Sequence, residues 1–218
     1  KKMIKVENIH YSYGTLEVLK GINLHVRKGE FVSIVGSSGA GKTTLLQLLG
    51  ALDSIQTGSI EVNGNELNLL SEKDLATFRN QEIGFVFQFH NLLAEFTALE
   101  NICLPAFLAG TNRKEAEEKG RQLLKLLAIE KRENHKPNEL SGGERQRIAV
   151  ARALINSPSI ILADEPTGNL DSKSADELHN LLLKLNKDIG QTFVVITHNN
   201  TLADLANRKL EIHNGKII

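Results

Sequence analysis

The chain has one cysteine, Cys103, so an intramolecular disulfide is excluded and a reducing compartment fits. No apolar run approaches the roughly 18–20 residues needed to span a bilayer, and no secretory leader is recognisable. The expectation is a soluble, cytoplasmic protein, for which any membrane role must come through a partner. Charge of one sign is also lacking. Twenty-six basic residues balance twenty-six acidic ones, which removes any global electrostatic case for nucleic-acid binding. Aromatic residues make up only 5%, and both tyrosines, Tyr11 and Tyr13, fall in one stretch before Gly14. Repeats, low-complexity segments and linkers are missing, and 218 residues is short for two independent domains. One domain with a lobe, or two intimate subdomains, is expected.

What is present centres on Phe31–Leu49. Phe31-Val32-Ser33-Ile34-Val35 reads as a buried strand. Gly36-Ser37-Ser38-Gly39-Ala40-Gly41-Lys42-Thr43, followed by Thr44, matches the phosphate loop G-x-x-x-x-G-K-[ST]. Leu45, Leu48, Leu49 and Leu52 then recur at helical spacing, so the loop joins strand to helix as the motif requires. Its glycines let backbone N–H groups approach a ligand, and the helix N-terminus adds unpaired donors and a positive partial charge. Lys42 is expected to reach the β- and γ-phosphates, and the Thr43 hydroxyl to ligate Mg²⁺.

Short strands are expected around Met3–Val6 and Ile22–Val26, with Gly58–Val62 returning to them before an Asn63-Gly64 turn. Gly84–Phe87 reads as an apolar strand ending at the amide of Gln88. From about 89 to 158 the pattern turns helical. Asn112 with Glu115 is an expected helix start, and Ser141 with Glu144 has capping-box spacing. Ser159–Ala163 is an apolar strand ending in Asp164-Glu165. Gly168–Asp171 turns into a helix near 172–187, and Phe193–Thr197 is a strand ending at His198. A hairpin at Asn214-Gly215 closes the pattern. Strands alternate with helices after Val35, which argues an α/β fold with a mainly parallel sheet, an antiparallel β region before it and a helical insert within it.

Three strand ends therefore present Lys42/Thr43, Asp164/Glu165 and His198, the parts that phosphoryl transfer needs. Asp164 and Thr43 suit Mg²⁺, directly or through water. Glu165 is the natural base for an attacking water. His198 is placed to hold that water or to sense the γ-phosphate, and Gln88 to link metal and water. The capped N-terminus at Ser141, with Gly142 and Gly143, is a second anion site.

The order of phosphate loop, Gln88, Leu140-Ser141-Gly142-Gly143-Glu144, Asp164-Glu165, Asn169-Leu170-Asp171 and His198 resembles the ATP-binding cassette family across nearly the whole chain. The resemblance implies a P-loop NTPase core at 1–88 and 159–218 with a helical subdomain at 89–158, hinged at Gln88. It implies Tyr13 stacked on adenine, with Ser141–Glu144 and Asp171 in the nucleotide site. It also implies a head-to-tail homodimer sandwiching two MgATP, bound to separate transmembrane subunits at the cytoplasmic face of the inner membrane.

Asn80–Leu93 and Phe96–Asn101 resemble most the ATPases of lipoprotein-releasing transporters, within a wider group that includes macrolide-efflux and cell-division complexes. Phe89–Glu100 is the expected docking segment. Ala94 stands where a proline is common and Asn199 where an aspartate is usual. A DNA-repair, chromosome or translation ATPase is disfavoured because long coiled coils and a second cassette are missing. A GTPase is disfavoured because no N-K-x-D-like segment occurs.

Overall fold

In the computed structural model, which describes residues 2–218, two sheets share one chain. The first is antiparallel and contains β1 (Lys2–Tyr13), β2 (Leu16–Arg27), β4 (Thr57–Val62) and β5 (Asn65–Glu66), in the order β2-β1-β4-β5. β1 and β2 are each twelve residues long, more than the short strands expected from Met3–Val6 and Ile22–Val26. The alternation is broken because β1 changes register between Val6 and Ile9. Asn8 there adopts φ 49°, as at a bulge.

The second sheet has six strands. These are β3 (Phe31–Val35), β6 (Ile83–Phe87), β7 (Ile160–Asp164), β8 (Thr192–Ile196), β9 (Arg208–His213) and β10 (Lys216–Ile217), in the order β10-β9-β3-β8-β7-β6. All neighbours are parallel except the β9–β10 hairpin. β3, β6, β7 and β8 are largely apolar because both faces are covered, whereas β9 and β10 at one edge carry charged, exposed residues. Along the central strands alternate residues serve opposite cores. Val32, Ile34, Ile160, Leu162, Val194 and Ile196 join a core with the antiparallel sheet and α1 (Lys42–Leu49). Phe31, Ile161, Phe193 and Val195 face the other way, into a core built by α3 (Ala98–Leu108), α4 (Arg113–Leu126), α5 (Gly142–Leu154) and α6 (Ser172–Ile189). α2 (Glu72–Glu82) and α7 (Asn200–Leu205) complete the helices.

The helix after the phosphate loop ends at Leu49, so Leu52, expected on its apolar stripe, lies beyond it and is half-exposed. The helix expected from Leu140 begins at Gly142, with Ser141 as its N-cap. Cys103, on α3, is fully buried against α4, and burial pushes its thiol up to about 11.

This topology brings the site together. β3, β8, β7 and β6 are consecutive neighbours, so four carboxyl ends lie side by side at the ordinary spacing of about 4.8 Å per strand. They deliver the phosphate loop, His198, Asp164-Glu165 and Gln88 to one edge, where open α/β sheets bind ligands.

Candidate functional site

The phosphate loop leaves β3 through Gly36, whose φ is 150° and whose absent Cβ would lie 2.2 Å from the Ile212 carbonyl. Gly41, at φ 102°, caps α1 in a left-handed conformation. At Gly36 any side chain would have to move backbone, and at Gly41 it would be strained by the positive φ and would press on Leu19. Between them Ser37, Ser38 and Gly39 are exposed and Ala40 is buried, so the loop arches outward from a fixed base. Lys42 Nζ lies within the arch and donates to the carbonyls of Gly36 at 2.8 Å and Ser37 at 2.9 Å. Thr44 is buried under the helix start, while the exposed Thr43 donates its hydroxyl to Asp164 Oδ2 at 3.3 Å.

Asp164 is half-buried at the end of β7, and burial is the main cause that pushes its carboxyl above the usual carboxylate range. The adjacent Glu165 adds to that rise, while the Thr43 hydroxyl and Lys42 oppose it. A carboxylate desolvated in this way and next to a hydroxyl gains from a bound cation. The donors are hard oxygens, and among the described residues no cluster of three or more His, Cys, Asp or Glu side chains occurs. That donor set fits Mg²⁺, which takes one or two carboxylates and draws its other ligands from phosphate and water.

Glu165 sits at φ 46°. Its N–H donates to the Ile196 carbonyl at 2.9 Å, and its own carbonyl accepts from Gly168 N–H at 3.0 Å. The left-handed backbone turns its carboxylate toward the next strand end. There Oε1 lies 2.8 Å from His198 Nδ1, and Oε2 accepts from the His198 backbone N–H at 3.1 Å. The base and the histidine expected beside it therefore form one unit, with the ring largely exposed. A cavity of about 200 Å³ lined by Glu165, Gly168, Ser172, His198 and Asn199 opens beside them. Asn199 caps α7 by accepting from Leu202 N–H at 3.1 Å. Asparagine and aspartate cap equally well, so the departure noted at this position leaves the turn intact.

Gln88 lies at the end of β6 as expected. Its amide N–H donates to Asn169 Oδ1 at 3.0 Å, and the Asn169 amide donates to the Gln88 carbonyl at 3.3 Å. Gln88 is thus reciprocally clamped to the turn that follows Glu165. Sequence spacing alone carries no signal for this pairing, because Asn169 is 81 residues away. Tyr13 is half-exposed at the β1 end, packs edge-on to Tyr11 at 5.0 Å and lies 3.4 Å from Gln47 on α1. An aromatic face is thereby fixed beside the phosphate-loop helix. Tyr11 is buried, and its hydrogen bond to Asp53 is the main cause raising it to about 12.

The second cluster is the start of α5. Ser141 Oγ accepts from Glu144 N–H at 3.2 Å, and Glu144 Oε2 accepts from Ser141 N–H at 2.9 Å. Glu144 also pairs with Arg132 at 2.7 Å. One carboxylate oxygen is thus spent on the helix start and the other on Arg132, so Glu144 fixes the geometry of the α5 N-terminus. Asp171 likewise accepts from Ser174 N–H at 3.0 Å and caps α6. The bond to Ser141 N–H, with help from Arg132, holds the Glu144 carboxyl below its usual range. Its contribution is present above the ordinary value of 4.5 and is lost as pH falls through the lowered one. Glu144→Ala is expected to cost about 1 kcal/mol. Melting temperatures of the two proteins should differ at neutral pH and converge in acid; a gap independent of pH would refute the carboxylate's role.

The ABC transporter family matches residues 19–168. The chain is 56% identical to the "Lipoprotein-releasing system ATP-binding protein LolD" of Bacteroides fragilis, covering 99% of this chain and all of that one. It is 47% identical to the protein of that name from Geobacter metallireducens, covering 99% and 98%. Among solved structures, a dimeric ATP-binding cassette in a post-hydrolysis state, bound to ADP and Pi, superposes with a TM-score of 0.88 at 41% identity, over 99% of this chain and 96% of that one. Four adjacent strand ends bearing a phosphate loop, the Asp164-Glu165 pair, a histidine and a glutamine thus have their explanation: the chain belongs to the ABC transporter family, as one of its ATP-hydrolysing cassettes.

Proposed function

We propose that this chain is the ATPase subunit of a lipoprotein-releasing complex, peripheral to the cytoplasmic face of the inner membrane and bound there through separate transmembrane subunits. The observation that carries this reading is end-to-end identity of 53–56% to four proteins named for that system. ATP binds with its phosphates in the loop at Gly36–Thr44 and its adenine against Tyr13. Thr43 and Asp164, with Gln88 close by, would hold Mg²⁺, which neutralises phosphate charge when bound. Glu165 orients and deprotonates the attacking water, and His198 keeps its carboxylate aimed. The core at 1–88 and 159–218 carries these groups. The subdomain at 89–158 carries Ser141–Gly143, which would meet the nucleotide of a second, head-to-tail copy.

No described helix is long and apolar enough to cross a membrane; in this reading force reaches lipid through the transmembrane subunits. A groove of about 750 Å³ contains no phosphate-loop residue. It lies between α2, β6, α3 and α5, with Leu52, Phe85, Phe87 and Leu108 on its walls. Leu108 is 81% exposed, and Phe89, on the docking segment that leaves β6, is 71% exposed. A short amphipathic helix of a transmembrane subunit fits a groove of this kind. Phe89→Asp or Leu93→Asp is expected to abolish co-purification with the membrane subunits while ATP affinity changes less than twofold. Unchanged co-purification would refute this docking segment.

Isolating the native complex and identifying its membrane subunits tests the function itself. Subunits with few spans and large periplasmic domains, together with ATP-dependent lipoprotein release from membrane vesicles, are the expected result. Stimulation of hydrolysis by a macrolide-type substrate instead would transfer the chain to the export branch.

A further inference from the structure

Residues 88–91 form a strap between the proposed docking region and the two helices that frame the site. Gln88 is clamped to Asn169. Two residues on, His90 Nε2 lies 3.1 Å from the carbonyl of Gly142, the first residue of α5. A carbonyl only accepts, so Nε2 carries the proton. Burial pushes His90 below its usual range, with the bond to Gly142 opposing the shift and Arg145 and Arg152 adding to it. At the other end of α5, Arg152 lines the 750 Å³ groove and donates to the carbonyls of His90 and Asn91, both at 2.7 Å. The strap is therefore tied to the first and last turns of one thirteen-residue helix. Phe89, between the ties, points to solvent.

We infer that His90 is a positioning residue for the second anion site: it locks Ser141–Gly143 to the strap, so that a partner pressing on Phe89 or filling the groove moves α5 as a rigid rod. The inference rests on the composite-site reading proposed above and adds the element that sets where its second half sits. His90 touches neither the phosphate loop nor Glu165, so its loss acts on assembly of the site rather than on nucleotide capture.

His90→Leu keeps apolar bulk and removes the donor, whereas His90→Gln returns one. In the isolated subunit, amide exchange across Ser141–Gln146 is expected to rise about 2–10-fold in His90→Leu, the factor for one neutral hydrogen bond, and to return toward wild type in His90→Gln. In a Glu165→Gln background the ATP concentration for half-maximal dimerisation should rise by a similar factor in His90→Leu, while ATP affinity of the monomer stays within twofold. Equal exchange in His90→Leu and wild type, or a loss not recovered by glutamine, would overturn the inference. Absence of any ATP-driven dimer in Glu165→Gln alone would instead sink the composite site, and the exchange comparison would still decide the role of His90.

Discussion

Glu165→Gln is expected to bind ATP as tightly as the wild type and to hydrolyse it about 10²–10⁴-fold more slowly, the usual cost of losing a positioned base. The substitution is nearly isosteric. The side-chain oxygen still accepts from His198 N–H, and the left-handed backbone at residue 165 is untouched. What disappears is the ability to take a proton from water. With hydrolysis blocked, the proposed arrangement of two chains around two nucleotides would have no exit, so a dimer should accumulate with ATP and disperse without it. Size-exclusion chromatography with light scattering, run with and without MgATP, reads this directly, and single-turnover kinetics supply the rate. A variant that turns over normally would remove Glu165 from the role of base. A variant that binds ATP yet stays monomeric would count against the sandwiched dimer.

Lys42→Ala should fail one step earlier. Lys42 Nζ is held by two backbone carbonyls inside the arch of the loop, where the proposed phosphate site would need its charge. Hydrogen bonds that involve a charged group contribute about 1.5–3 kcal/mol each. Losing one such interaction weakens binding by about 10–150-fold. The carbonyls of Gly36 and Ser37 also lose their donor, which loosens the loop before any ligand arrives. Calorimetric titration with ATP should show the loss, while the melting temperature without nucleotide moves only slightly. Affinity near that of the wild type would show that the backbone N–H groups and helix terminus suffice alone.

Much of the site was legible because its chemistry sits at strand ends and strands announce themselves. Phe31–Val35, Ile160–Ala163 and Phe193–Ile196 are short, largely apolar runs, and each leads directly into residues expected to act. The capping spacing at Ser141/Glu144 and the hairpin at Asn214-Gly215 were also readable, since local geometry decides both. β1 was under-read because its polar half pairs on both sides through irregular register. Partnerships across the fold were not legible: Gln88 with Asn169, His90 with Gly142, and Glu165 with His198 as a bonded pair join residues 33–81 positions apart. Asn101 is a similar case. It is fully buried, and its amide accepts from Leu93 N–H and donates to the carbonyls of Leu93, Phe96 and Thr97. A polar residue on an apolar helix hints at such a role without saying which loop it holds.

The buried thiol of Cys103 has a practical consequence. With its pKa near 11 and no exposed surface, the sulfur is almost never a thiolate at neutral pH, and the thiolate is the form that reacts. The natural protein is therefore chemically silent toward maleimides and disulfide reagents. A cysteine introduced at Ser38 in the phosphate loop or at Ser141 would be the one reactive handle on the chain. Crosslinks or spin labels placed there would report the approach of two copies without a background to subtract.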